Sequence, residues 1–264
     1  MKKILFWLVL IVGIVVLIGS CKKDEETKTT TTTTTSCAGD NTFTIASSCS
    51  DTASGSITGI DNASLSGTFS PFHIYGIRGG YSVDNSTDCI DNSTLIGNLA
   101  NTTGYPTGTA SGIVNHFVTS SSTFAQRYKF FSDSGCSTEL ASVVFGYDDL
   151  SNGGRASGLS TTISGKSGTY PSTASKLTYN QSCAKLKGST AAGVTWIKTL
   201  LNGTDPTVGT EYTCDVGTNA RYALMFVDNS SGSALAYGNV VYFEESETAV
   251  PSDWDDPDTL LTLP

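Results

Sequence analysis

Three hydropathy regimes follow one another along the chain. From Ile4 to Ile18 no residue carries a charge, and residues 22–36, KKDEETKTTTTTTTS, contain no large apolar side chain. From Cys37 onward, short apolar or alternating runs are separated by Ser, Thr, Gly, Asn and Asp. Strand side chains alternate between two faces, so short runs bounded by turn formers read as strands. The pattern predicts strands over Gly67–Ile77, Ile113–Thr119, Phe124–Phe131, Ala141–Tyr147, Lys176–Asn180, Arg221–Val227 and Leu235–Phe243. In RYALMFV (221–227), Tyr222, Leu224 and Phe226 share one face while Ala223, Met225 and Val227 share the other. Both faces are apolar, which predicts a central strand covered on both sides.

One stretch has helical spacing. In GSTAAGVTWIKTLLNG, Ser189 is placed to cap, Val194, Ile197 and Leu201 form a stripe, and Asn202-Gly203 supplies the stop. A helix this short and amphipathic is expected to pack over a sheet or plug the end of a barrel. The fold class is therefore all-β, an antiparallel barrel or sandwich of about eight to ten strands with one short helix. Four Asp-Asn segments, beginning at Asp61, Asp84, Asp91 and Asp228, each follow Ile or Val and read as strand-ending turns. Their spacing is irregular, and they lack the acidic oxygens of a calcium loop. The last residues, EESETAVPSDWDDPDTLLTLP, hold three prolines and many acids, and predict an irregular tail packed at Trp254.

Charge narrows the partners. The formal charge is −9, and loss of Lys2 and Lys3 with a leader brings it to −11. Such a surface repels nucleic acid and anionic bilayers, so neither is expected as a partner of the globular part.

Lys2 and Lys3, the apolar run and then Gly19-Ser20-Cys21 follow the layout of a secretory signal. Fifteen residues are short for a membrane span, which needs about 20. Ile18-Gly19-Ser20-Cys21 resembles the lipobox of bacterial lipoproteins, an aliphatic residue and two small residues before an obligatory cysteine. The resemblance covers the first 21 residues only. It implies cleavage before Cys21, a diacylglyceryl group on its thiol and fatty acylation (palmitate) of the new amino terminus. Several buried chains anchor stably where one does not, at about 0.8 kcal/mol per methylene. Lys22 in place of Asp, by the same resemblance, points to the outer membrane of the cell envelope. Residues 1–20 are then signal peptide, 21–36 lipidated cysteine and tether, 37–246 the all-β domain and 247–264 an acidic tail. The tether cannot bury enough surface to fold, and spans roughly 22 Å as a flexible coil.

With Cys21 assigned to lipid, six cysteines remain: Cys37, Cys49, Cys89, Cys136, Cys183 and Cys214. An even number in an exported chain predicts disulfides, although six cysteines allow 15 connectivities. Loop closure favours neighbours, so the expected pairs are Cys37–Cys49, Cys89–Cys136 and Cys183–Cys214. No C-x-x-C occurs, so no cysteine metal site is expected.

Catalytic signatures are few. His73 and His116 lie among apolar neighbours and are expected as packed or edge residues with satisfied rings. No G-x-S-x-G is present, and SGKSG at 164–168 has Ser160 where a phosphate loop needs Gly. Asp148 and Asp149 are adjacent on a strand and would face opposite sides, unlike a glycosidase pair. A cation site from Asp253, Asp255, Asp256 and Asp258 would require those carboxylates to converge. The seven N-x-S/T sequons, at Asn62, Asn85, Asn92, Asn101, Asn180, Asn202 and Asn229, follow from composition under a lipobox. Neither catalytic residues nor a metal or cofactor is expected.

The reading is a lipid-anchored, disulfide-bonded, non-enzymatic surface or periplasmic binding protein for a protein, glycan or small molecule. An alternative comes from Gly67-Thr68-Phe69, which resembles the G-x-W opening of lipocalins with Phe in the Trp position and no second motif following. It implies a carrier of a small apolar ligand in a barrel lumen, lined by alternate residues of 124–131 and 221–227.

Overall fold

The computed structural model describes residues 49–60, 63–73, 89–91, 105–164, 169–200, 205–228, 240–255 and 258–262. The lipobox, the tether, Cys37, residues 165–168, the Asp84 segment and all sequons but Asn180 lie outside these residues.

The described chain is all-β with one helix. A small hairpin, β1 (Ser56–Ile60) and β2 (Ala63–Ser66), precedes β3 (Thr68–His73) and the two-residue β4 (Ile90–Asp91). A meander follows: β5 (Ser111–Val118), β6 (Phe124–Phe131), β7 (Glu139–Ser157) and β8 (Thr173–Gly188). Helix α1 (Ala191–Leu200) separates these from β9 (Glu211–Asp228), β10 (Val240–Ser246) and β11 (Asp258–Thr262). The expected strands are present where they are described, residues 74–77 and 235–239 lying outside the described residues, but β7, β8 and β9 extend well beyond their apolar runs. Asp91 and Asp228 are the last residues of β4 and β9, whereas Asp61 and the residues that follow Asp91 and Asp228 lie outside the described residues.

All pairings are antiparallel. The curled sheet runs β3-β11-β10-β9-β8-β7-β6-β5-β4, and β3 also pairs with β5, so eight strands form a ring. The closing seam is short, Thr68 with Phe117 and Phe69 with His116. Gly67, at φ +98°, leads into this first ring strand, and its carbonyl accepts from the Val118 N–H at 3.1 Å. Three register shifts between β7 and β8 bend the long hairpin, with Asp149 and Gly154 there at positive φ.

Two cores lie on opposite faces of the sheet. Inside, Val118, Tyr128, Phe130, Val143, Phe145, Tyr147, Leu177, Tyr179, Leu186, Ala223, Met225, Val227 and Val241 form one buried cluster. Outside β9 and β10, Leu224 and Tyr242 pack with Leu159, Tyr170 and Trp254 in a second. This accounts for the doubly apolar RYALMFV: β9 is central and covered on both faces. Fully buried side chains such as Leu177, Leu186 and Leu224 each contribute about 1.5–3 kcal/mol.

The ring's interior is covered at both ends. At one, Trp196, Ile197 and Leu200 of α1 join the inner cluster, and Trp196 meets Phe130 edge-on with ring centroids 5.3 Å apart. A β-carbon at Gly193 would lie 1.8 Å from the Leu140 carbonyl oxygen, so only glycine permits this docking. At the other, Ile57 and Leu65 of the β1–β2 hairpin join the same cluster. The hairpin is tied to the β5–β6 corner, where Ser54 and Gly55 donate to the Val118 carbonyl at 3.0 and 3.2 Å.

Four expectations are corrected. The cap of α1 is Thr190, whose Oγ1 accepts from the Gly193 N–H at 3.2 Å, while the Ser189 hydroxyl donates to Glu139 instead. The C-terminal segment contributes β11, which pairs with β10 and β3 and completes the ring, so backbone pairing to two neighbours and not local composition makes it a strand. Trp254 does anchor the segment, its Nε1–H donating to the Pro171 carbonyl at 2.6 Å. Cys89–Cys136 forms as expected, but Cys49 bonds Cys183 across 134 residues, which excludes Cys37–Cys49 and Cys183–Cys214. Chain folding, not loop length, sets this partner: residues 49–51 run over the outer face of β6 to β8 before the hairpin. The fourth concerns His116 and belongs to the interior site. Among the described residues, no helix is long and apolar enough to cross a membrane.

Candidate functional site

Two constellations of polar side chains stand out, one inside the ring and one outside. The inner one begins with alternation on β5 to β10, which turns His116, Gln126, Tyr147, Tyr179, Arg221 and Glu245 to the same face as the core. Phe124 stacks on Tyr147 at 4.6 Å, and Tyr179 meets both rings edge-on at 4.9 and 5.6 Å. The Tyr147 hydroxyl donates to Gln126 Oε1 at 3.4 Å, and Gln126 Nε2 lies 2.8 Å from His116 Nε2. With the Gln126 amide donating, the His116 proton sits on Nδ1. That atom is buried and has no partner among the described residues, so the ring is half satisfied where full satisfaction was expected. Burial drives the His116 pKa down from 6.5 to about 4 and keeps it neutral.

Beside this chain, buried Arg221 pairs with Glu247 and donates to Gln181 Oε1 at 3.0 Å. Tyr179 donates to Glu245 at 2.9 Å. Burial raises the Glu245 carboxyl above its usual range, with Arg221 and Tyr179 opposing. Burial raises the Tyr147 and Tyr179 hydroxyls as well, and neither titrates near neutrality. Each charge here has an internal partner, and rings fill the space between. The arrangement holds the barrel together.

The outer constellation lies on the opposite face of the same strands. Lys129 of β6, Ser142 of β7, Lys187 of β8 and Glu211 of β9 are successive register partners and make one rung. Arg127, Val144, Lys185 and Thr213 make the next. The small β7 residues form a floor between cationic walls, in a cradle of about 140 Å³. In a chain with 15 Lys and Arg against 24 Asp and Glu, four cations converge here. Neighbouring strands are about 4.8 Å apart, so the walls stand about 10 Å apart.

Asp51 bridges the second rung. Its carboxylate lies 3.3 Å from Arg127 Nη1 and 3.8 Å from Lys185 Nζ. Burial opposes its ionisation, but Lys185 and then Arg127 outweigh burial and hold the carboxyl below 3.8. Arg127 also donates to Asn115 Oδ1 at 2.8 Å, and its guanidinium lies 4.7 Å from the centre of the Phe117 ring. Lys185 reaches Glu211 at 3.3 Å, and Lys129 reaches Glu139 at 3.6 Å. Lys187 makes no ion pair among the described residues. The Cys49–Cys183 bond and the Ser54 and Gly55 hydrogen bonds hold Asp51 in place from either side.

Sequence reasoning did not find this cradle. The alternation of Lys and Arg in FAQRYKFF and CAKLKG was visible, but their adjacency depends on register. The other candidates are scattered. Only the backbone of His73 is described, paired with Thr259. Asp149 accepts from Asn180 at 3.1 Å, and Asp253 accepts from the Ser160 N–H at 2.6 Å, so each already has a structural role. Among the described residues no three His, Cys, Asp or Glu side chains gather as a metal site. No protein-family model matches the chain, and no curated protein matches its sequence.

Proposed function

We propose that this chain is an exported, lipid-anchored, non-enzymatic binding protein that engages its partner through the outer face of the barrel. The observation that carries the reading is the packed interior. Tyr128, Phe130, Phe145, Tyr147, Tyr179 and Trp196 share one buried cluster, with hairpin and helix residues joining it from either end. The cations Arg127, Lys129, Lys185 and Lys187 sit on the outer face, the reverse of a membrane-spanning barrel, whose outer band is apolar, while the interior charges Arg221 and Glu245 are enclosed with partners. The Cys49–Cys183 and Cys89–Cys136 bonds suit an oxidising compartment outside the cytoplasm. The lipobox resemblance supplies the anchor at Cys21, and Lys22 favours the outer membrane.

Mass spectrometry of the native amino terminus tests the anchor: an acylated Cys21 is expected, and a chain still starting at Met1 overturns it. Protease added to intact cells tests display, with loss of the protein expected and full protection weighing toward a periplasmic location. The carrier alternative has the antiparallel ring in its favour. A lipophilic fluorophore decides between them, because a packed interior takes up none, whereas saturable uptake at one site per chain would establish a lumen.

A further inference from the structure

We infer that the outer cradle binds a single oxyanion group, a carboxylate or phosphate, held between Lys129 and Lys187 over Ser142. This inference rests on outer-face binding as the mode of action and names the chemistry of that face. The second rung provides an internal precedent. There, cations of β6 and β8 flank a small β7 residue, and the Asp51 carboxylate bridges Arg127 and Lys185 across it. The first rung repeats the plan one step along: Lys129 from β6, Lys187 from β8, and between them the hydroxyl of Ser142 as an added donor. Glu139 pairs with Lys129 and also accepts from Ser189 at 2.7 Å, which fixes it on that side of the rung. Glu211, the register partner of Lys187, pairs with Lys185 of the neighbouring rung. Lys187 is half-buried on the wall, with its ammonium available to a third party.

Charge limits the ligand. A chain of net charge −9 repels a polyanion as a whole, whereas one oxyanion on an otherwise neutral glycan or peptide meets only the local field of the cradle. A volume of about 140 Å³ admits such a group and excludes a large body. Ammonium and hydroxyl donors to an oxyanion are the stronger class of hydrogen bond, which makes a site of three donors adequate for recognition.

The test is calorimetric titration of the full chain in detergent with inorganic phosphate and, separately, glucuronate. Saturable binding of at least one is expected, and the tighter probe assigns the tetrahedral or planar class. Lys187→Gln and Ser142→Ala are expected to weaken it about tenfold, near 1.4 kcal/mol. Lys176→Gln, an exposed cation elsewhere on β8, should leave it unchanged, and Asp51→Asn should not abolish it. Absence of saturable binding, or equal losses in Lys176→Gln and Lys187→Gln, overturns the inference. Both substituted side chains reach the surface, and an unchanged circular dichroism spectrum verifies their folding. Outer-face binding itself stands or falls on the fluorophore experiment, whose outcome is independent of the anion titration.

Discussion

At His116, burial and the single Gln126 contact keep the ring neutral, and its pKa falls from 6.5 to about 4. The unfolded chain takes up a proton near pH 6.5 that the folded chain refuses until about pH 4. Stability from this group is therefore complete above pH 6.5 and declines as pH falls toward 4. The loss between pH 7.5 and 5 is about 2 kcal/mol. Urea midpoints at those two pH values should fall further in the native chain than in His116→Gln; equal falls would reject the assignment. The sequence showed an apolar neighbourhood around this histidine and suggested a packed or edge residue, and the ring is packed against the interior. It gave no sign that one ring nitrogen lacks a partner, because the ring's single contact, Gln126, reaches it only across strands.

The element most dependent on one small residue is α1. A β-carbon at Gly193 meets the Leu140 carbonyl oxygen at 1.8 Å, a backbone atom that cannot turn aside. Gly193→Ala is expected to lower stability by about 3 kcal/mol despite the better helix propensity of alanine, with urea unfolding as the measurement. An unchanged midpoint would mean that the helix docks elsewhere. The long hairpin and the segment before β1 depend on sulfur. Cys49–Cys183 closes 134 residues and Cys89–Cys136 only 47. In the chain-entropy account, the first contributes about 5 kcal/mol and the second about 4. Removing Cys49 and Cys183 together should therefore lower the melting temperature more than removing Cys89 and Cys136, and the reverse order would refute the longer link. Helix α1 was legible from spacing, as were most of the ring strands, whose apolar alternation is local. The cap and β11 were not, since Thr190 and Ser189 are chemically equivalent and LL in a proline-rich segment gains strand character only from β3 and β10.

At the scale of the whole molecule, the two disulfides among the described residues account for Cys49, Cys89, Cys136 and Cys183, and Cys37 and the Cys214 side chain lie outside the described residues. The Cys214 backbone lies on β9 opposite Ala184, next to Cys183, and Cys37 precedes Cys49 by twelve residues. Peptide mapping without reduction is expected to link Cys37 to Cys214, and two free thiols would contradict it. The cradle is also a property of the whole molecule. Its cations come from β6 and β8, which flank β7, and its internal carboxylate from a segment pinned by a disulfide. Taken alone, the sequence determined the all-β class, the short helix and the central place of RYALMFV, because local periodicity carries those. Ring closure, the Cys49–Cys183 partner, the filling of the interior and the two cationic rungs were decided only by tertiary structure. The physical reason is that strand register and long-range loop closure bring together residues far apart in the chain, and no local pattern encodes which of several equivalent strands will be neighbours.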